Sequence, residues 1–232
     1  TALRTTLIGG LAGDALTAGH YNVAVGYSAL SSDTLGQSNV AIGYNSLTAQ
    51  NFTTATNSYN VAVGHGSGAA VTTGTENTLI GGISGDALTD ADGNTAVGYS
   101  SLTSDTLGSK STAIGRSALA TQNFTTATDS YNVAVGYQAG VSVTTGAENT
   151  LIGGLAGDAL NTGANVVAVG YKTLSTDTKG FGSVAIGNQA LENQNFTTAT
   201  DSFNTAVGYF AGNDITTGTS NLLIGALAGD AL

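Results

Sequence analysis

The residues able to do chemistry are few, and most recur at one long interval. Gly9-Gly-Leu-Ala-Gly-Asp-Ala-Leu16 has the glycine–aspartate pattern of calcium-binding nonapeptide repeats, and it places Asp14, Asp86, Asp158 and Asp230 in equivalent positions. Such sites work because consecutive repeats share oxygen ligands. Here the aspartates stand 72 residues apart, so within one chain each reads as a turn-stabilising aspartate. Copies of the chain meeting on a shared axis are the remaining route to an ion, which makes Asp14, Asp86 and Asp158 weak metal candidates. Asp90-Ala-Asp-Gly-Asn94 occurs once, lacks the other ligands of an EF-hand loop, and reads as a polar turn. His20 and His65 are the only histidines and have no repeated partner. Neither a Ser/His/Asp nor a metal-ligand spacing recurs, so the expectation is a protein with no catalytic residues and no cofactor. A glycosidase would need paired carboxylates about 5–10 Å apart. The only glutamates are Glu76, Glu148 and Glu192, and the acidic residues mostly fall at repeat-equivalent turns.

Two further motifs could meet a ligand or an enzyme. Tyr27, Tyr44, Tyr99, Tyr137, Tyr171 and Tyr209 each follow a recurring glycine and could stack on sugars or proteins. Covering rung edges and interchain seams is the plainer reading. Asn51-Phe-Thr53, with copies at Asn123 and Asn195, matches a glycosylation sequon, which matters in a eukaryotic secretory route.

Those residues must be positioned by a repeat. A strand ending in glycine, Asn22-Val-Ala-Val-Gly26, recurs down the chain. The closing glycines are Gly9, Gly26, Gly43, Gly64, Gly81, Gly98, Gly115, Gly136, Gly153, Gly170, Gly187, Gly208 and Gly225. Their spacing runs 17, 17, 21 and 17 residues and then repeats, a 72-residue block. Such self-similarity is the mark of a stacked-repeat protein. The blocks are 7–78, 79–150 and 151–222, with a partial fourth at 223–232. The chain is expected to be a single repetitive segment excerpted from a longer fibre, because Leu227-Ala-Gly-Asp-Ala-Leu232 repeats Leu11-Ala-Gly-Asp-Ala-Leu16.

Composition narrows the class. The chain has 34 glycines, no proline, cysteine, methionine or tryptophan, and only 9% charged residues, unlike a disordered chain. Without cysteine there is no disulfide framework and no thiolate zinc site. A formal charge of −10, with five cationic residues, leaves no basic patch for nucleic acid. No run of 18 apolar residues suggests a membrane span, so no membrane contact is expected in this segment.

Aligned on the glycine, the preceding residue reads Ile8, Val25, Ile42, Val63, Ile80, Val97, Ile114, Val135, Ile152, Val169, Ile186, Val207 and Ile224. All are β-branched, which suits a strand. Three before the glycine stands Thr or Val, with Leu222 the exception. Between these columns stands Ala24, Ala41, Ala62, Ala96, Ala113, Ala134, Ala168, Ala185 or Ala206, or once per block Leu7, Leu79, Leu151 or Leu223. Side chains alternate faces along a strand, so the β-branched columns share one face and the Ala/Leu column takes the other. Both faces are apolar or small, which suits a strand buried on both sides. A two-walled coil has one inside, so the second face requires a partner. The expectation assigns the β-branched column to the coil's core and the alanine column to an oligomer interface, where small side chains let chains approach.

Eight residues after the glycine every complete rung has Thr or Asn, from Thr17, Thr34 and Asn51 onward, which can hydrogen-bond from rung to rung. Corners such as Asp105-Thr-Leu-Gly108 and Val143-Thr-Thr-Gly146 are expected to turn through positive φ. Each rung then holds two short strands and two turns, and twelve steps of about 4.8 Å predict a rod roughly 58 Å long. The longer rung adds a lateral bulge at Asn51-Phe-Thr-Thr-Ala-Thr56, 123–128 and 195–200.

Asn-Val-Ala-Val-Gly at 22–26, Asn-Val-Ala-Ile-Gly at 39–43 and Ser-Thr-Ala-Ile-Gly at 111–115 resemble the YadA-like head repeats of trimeric autotransporter adhesins. Asn132-Val-Ala-Val-Gly-Tyr-Gln-Ala-Gly140 is also similar to repeats of some phage tail fibres. The rungs here are longer than the usual head repeat and follow a four-rung super-period. The resemblance implies a left-handed parallel β-roll, a homotrimer, on a bacterial surface or virion, a setting that discounts the sequon at Asn51, Asn123 and Asn195. It implies a structural or adhesive fibre segment that extends or displays a binding tip, with an unidentified receptor. The other class of reading is a monomeric β-solenoid that binds ice or another surface through its threonines.

Overall fold

The computed structural model describes residues 4–229, so the last three residues of the partial fourth block lie outside it. The fold is an all-β parallel β-solenoid of thirteen turns, and the described residues contain no helix. Two compact units form. One runs up to Ser111 and takes in Asn123–Asp129; the other comprises Thr112–Gln122 and the chain from Ser130 onward.

Each turn contributes one three-residue strand that stops at its glycine. The first unit holds six: Thr6–Ile8, Val23–Val25, Val40–Ile42, Val61–Val63, Thr78–Ile80 and Thr95–Val97. The second holds seven: Thr112–Ile114, Val133–Val135, Thr150–Ile152, Val167–Val169, Val184–Ile186, Thr205–Val207 and Leu222–Ile224. Register never slips within a unit. Leu7 lies beside Ala24 and Ala24 beside Ala41. Ala41 lies beside Ala62 although 21 residues separate them, so the four extra residues are absorbed away from this sheet. The glycine ends each strand for a steric reason. Gly64 has φ of 141°, and a Cβ there would lie 2.3 Å from the carbonyl oxygen of Gly81 on the next rung.

The opposite wall is less regular than expected. Among the described residues, second strands form only as three two-residue pairs: Gly36–Gln37 with Thr56–Asn57, Gly108–Ser109 with Thr128–Asp129, and Gly180–Phe181 with Thr200–Asp201. Elsewhere the wall is held at the Thr/Asn column by backbone bonds such as Thr72 N–H to Thr89 O (2.9 Å) and Asn161 N–H to Thr178 O (2.9 Å). The corner glycines also differ from expectation. Gly108 and Gly146 are not left-handed; they are glycine because a Cβ would lie 2.1 Å from the Asp105 carboxylate and 2.2 Å from the Gly163 carbonyl. Left-handed residues sit instead two and four after the anchor, as at Ser28 and Leu30, and five before it, as at Tyr21.

The core corrects the assignment of faces. Ala24, Ala41, Ala62, Ala96, Ala113, Ala134, Ala168, Ala185 and Ala206 are fully buried within their own chain, so this column is the inside of the coil and not an oligomer interface. The β-branched column is outside: Val25, Val63, Val97, Val135, Val169 and Val207 are half-buried, and Ile42, Ile80, Ile114, Ile152 and Ile186 are exposed. Ile8 and Ile224 also face solvent. The physical reason is the narrowness of the coil. Opposite each alanine stands a buried residue four after the anchor, such as Leu30 or Leu47. Where the strand carries leucine, that facing residue becomes glycine: a Cβ on Gly85 or Gly68 would lie 2.7 or 2.8 Å from the Leu79 side chain. A strand leucine fills this gap on its own rung and on the preceding one, where Ala62, Ala134 and Ala206 stand with Gly68, Gly140 and Gly212; on the other rungs the large side chain comes from the facing position. Leu30 and Leu47 accept left-handed φ of 54° and 49° to supply it. That conformation costs roughly 1–2 kcal/mol, against about 1.5–3 kcal/mol for burying a leucine side chain, so burial wins.

The super-period has a second source, seven residues after the anchor. This column reads Leu16, Asp33, Gln50, Val71, then Leu88, Asp105, Gln122, Val143, then Leu160, Asp177, Gln194, Ile215. From Asp33 to Ile215 all are buried. Apolar rungs therefore alternate with a polar pair. Asp33 Oδ2 accepts from Gln50 Nε2 (2.8 Å), and Oδ1 accepts the N–H groups of Gly36 (3.0 Å) and Phe52 (3.1 Å). Gln50 Oε1 accepts in turn from Asn60 Nδ2 (2.9 Å). Asp177, Gln194 and Asn204 repeat the relay at 2.6 and 2.8 Å. A buried carboxylate is tolerable here because every oxygen has donors.

A buried asparagine ladder joins the two walls. Asn60 Oδ1 accepts the N–H of Asn77 (2.9 Å), and Asn77 Oδ1 accepts that of Asn94 (3.0 Å). Their Nδ2 groups donate across the coil to Gly74 O and Ala91 O, both at 2.7 Å. Asn132 and Asn149 repeat this in the second unit. The ladder explains why position four before the anchor is so often Asn.

Candidate interaction face

The outer face of the main sheet is the feature with no role inside its own chain. It carries Thr or Val three before the anchor and Ile or Val one before it, and neither column has a charged residue. The isoleucines between the terminal rungs are 37–39% exposed. Alternation of strand side chains, with Ala or Leu committed inward, turns both columns outward.

Tyrosines border this stripe on both edges. All nine are 48–57% exposed and none enters the core. Tyr27, Tyr44, Tyr99, Tyr137, Tyr171 and Tyr209 follow the anchor, while Tyr21, Tyr59 and Tyr131 precede it by five residues. Within a chain they pack from rung to rung: Tyr27 stacks on Tyr44 (centroids 5.8 Å apart, 13° between planes) and Tyr44 on His65 (5.1 Å, 15°). Gly82 lies beneath Tyr99 and Gly154 beneath Tyr171. Arg116 sits 5.7 Å over the Tyr137 ring and donates to its hydroxyl (3.2 Å). An apolar centre without charge, rimmed by aromatic residues, has the composition of a protein interface core.

The weak metal candidates do not come together. Asp14 is exposed, and Asp86 accepts from the Thr103 hydroxyl (2.5 Å). Asp158 is half-buried with Oδ1 lacking a hydrogen-bond partner; desolvation pushes its carboxyl above the usual range, its own N–H and the nearby Lys172 oppose that, and Glu192 adds to it. Asp230 lies outside the described residues. Among the described residues no three His, Cys, Asp or Glu side chains gather as a metal site. Asp90, read as part of a polar turn, accepts from the Thr72 and Thr73 hydroxyls (2.5 and 2.7 Å), which hold its carboxyl below the usual range. His20 and His65 stand on different rungs, each beside a tyrosine ring.

The Thr/Asn column forms a ladder, and several of its hydroxyls are used from rung to rung, while that of Thr72 goes to Asp90. Thr17 and Thr89 donate to the next rung's carbonyls at Thr34 and Thr106 (3.1 and 3.0 Å). Thr34 meets Asn51 Oδ1 (3.0 Å) and Thr106 meets Asn123 Oδ1 (3.1 Å). What sequence reasoning missed was the column seven after the anchor and the pairing of Leu79 with Gly68 and Gly85. Both signals were present: Leu and Gly exchange in phase, and Asp, Gln and Val recur at one offset.

Among the described residues, no helix is long and apolar enough to cross a membrane. Comparison with family models, with curated proteins and with solved structures gave no match.

Proposed function

We propose that this chain is a non-enzymatic extracellular fibre segment, a homotrimeric left-handed β-roll that extends or displays a binding tip on a bacterial surface or a virion. The observation that carries the reading is the charge-free Val/Ile stripe with its tyrosine borders. The threefold, the handedness and the location rest on the resemblance to adhesin head repeats and tail fibres.

The stripe supports assembly through its linear geometry. One rung offers a strip about 4.8 Å high and about 10 Å wide, or roughly 50 Å². A standard interface takes about 800 Å² from each partner, so roughly sixteen rungs would be needed from the stripe alone. Tyrosine flanks lower that number, and a threefold arrangement gives each copy two neighbours. Association of this kind is cumulative and favours long repeats, as stability does in any stacked-repeat protein. The mechanism is mechanical: backbone ladders and inward Ala/Leu layers hold each coil, and outward Val/Ile layers hold the coils together.

Sedimentation equilibrium of the full chain tests this. A mass three times the 22.8 kDa chain is expected. Val135→Asp should shift the equilibrium toward monomer while keeping the wild-type far-UV spectrum. A wild-type chain that stays monomeric at high micromolar concentration would overturn the reading.

A further inference from the structure

The bulge of the 21-residue rung carries groups that neither the coil nor the stripe uses. Residues 51–56, 123–128 and 195–200 are the same hexapeptide, Asn-Phe-Thr-Thr-Ala-Thr, preceded each time by a buried glutamine, Gln50, Gln122 or Gln194, while the two residues before that glutamine read Thr48-Ala49, Ala120-Thr121 and Glu192-Asn193. Identity at exposed positions needs a reason other than packing.

Several members have structural work. Phe52, Phe124 and Phe196 are buried at 6–7% exposure. Thr56, Thr128 and Thr200 donate their hydroxyls to the carbonyls of Thr54, Thr126 and Thr198 (3.1, 3.0 and 2.9 Å). Asn51, Asn123 and Asn195 accept a threonine hydroxyl at Oδ1 from the preceding rung (3.0, 3.1 and 3.3 Å). That bond fixes the amide by its oxygen. It leaves Nδ2 without a hydrogen-bond partner, and Asp158 Oδ1 is the one buried side-chain atom so placed among the described residues, so these Nδ2 groups reach solvent. Thr53, Thr125 and Thr197 are exposed with no role in the coil.

Among the polar groups left over, beside the exposed hydroxyls of Thr54, Thr126 and Thr198, are the amide nitrogen of Asn and the hydroxyl two residues on, the pair that defines an asparagine-linked glycosylation acceptor. No other Asn in the chain has Ser or Thr two residues after it. We infer that Asn51, Asn123 and Asn195 are acceptor sites for an N-linked glycan, one per 72-residue block and four rungs apart. The donor class is a sugar activated at its anomeric carbon by a lipid diphosphate or a nucleotide. Nδ2 forms the bond to that carbon, the carbon–oxygen bond to phosphate breaks, the phosphate leaves with the bonding pair, and the proton lost by Nδ2 passes to the departing phosphate. No redox change occurs. Oδ1 keeps its threonine bond, so the product is compatible with the folded rung. The inference takes from the proposed function only that the chain leaves the cell; it departs from the expectation that a bacterial or viral setting discounts the sequon, because the free acceptor groups are a property of the fold.

The test is secretion of the full chain from a eukaryotic host, with intact mass and peptide mapping before and after glycosidase release of N-glycans. The expected result is up to three glycans, at Asn51, Asn123 and Asn195, with conversion to Asp on release. Thr53→Ala, Thr125→Ala and Thr197→Ala should each remove one glycan without changing the melting temperature. Unmodified Asn at all three sites in secreted, folded protein would overturn the inference. So would glycans that persist in the Thr→Ala variants. Glycan occupancy is read by mass and assembly by sedimentation, so failure of one leaves the other standing.

Discussion

The two faces of one three-residue strand answer to different constraints. The inward face holds a single residue, Ala or Leu, and its size is dictated by what lies across the coil: Ala41 faces the Leu47 side, Leu79 lies against Gly68 and Gly85. The outward face holds two residues that the chain leaves half-buried or exposed, yet they remain Thr, Val or Ile at every rung but one. Inside, size varies in a compensated way. Outside, chemistry is held constant without any internal compensation. Complementary exchange marks the face fitted to its own chain, and the uniform face is the one that the proposed assembly uses.

The largest effect should come from breaking what both faces share, the anchor. Gly136→Ala places a Cβ 2.4 Å from the Gly153 carbonyl, at φ of 144°. It should prevent folding of that rung, seen as a loss of several kcal/mol in denaturant unfolding or as no soluble protein.

On the inward face, Leu151→Ala should cost about 2–5 kcal/mol, because Gly140 and Gly157 cannot refill the cavity. Asn132→Ala removes donors and acceptors buried on three sides: Gln122 Oε1, Gly146 O and the Asn149 N–H. About 1–3 kcal/mol is expected for each partner left unsatisfied. Urea midpoints at constant slope check both variants.

On the outward face, Val135→Asp should leave the melting temperature of the separated chain nearly unchanged, since Val135 is half-exposed. Its effect should appear in assembly alone. Loss of fold in this variant would mean that the column is internal after all.

The smallest effect concerns Asp158, whose carboxyl is raised chiefly by desolvation. A raised folded value means that the fold prefers the neutral acid, so stability falls as pH climbs from the unfolded value through the folded one. Asp158→Asn should therefore raise the melting temperature at about pH 7 and leave it unchanged at about pH 3. Equal effects at both pH values would show that the charge is not responsible.

Much of this was legible in the sequence. Anchor spacing gave the solenoid, the rung count and the bulge at 51–56, because a stacked repeat writes its register directly into its period. The two-faced strand was legible too, from its lack of polar alternation. Which face was inside was not. That choice depends on the width of the coil, which brings Leu30 and Leu47 opposite alanines and needs contact between residues six apart on different walls. Bulk pointed to Ile and Val as core; steric room decided for Ala. The left-handed φ at Leu30 and Leu47 was equally hidden, since leucine has no local preference for it and only burial holds it there.

Electron cryo-microscopy of the native fibre in cross-section tests the central claim most directly. Three copies about one axis, with the Val135 and Ile152 side chains at the centre and Ala134 inside each coil, is the predicted result. A single coil with the Val/Ile stripe in contact with solvent would contradict it.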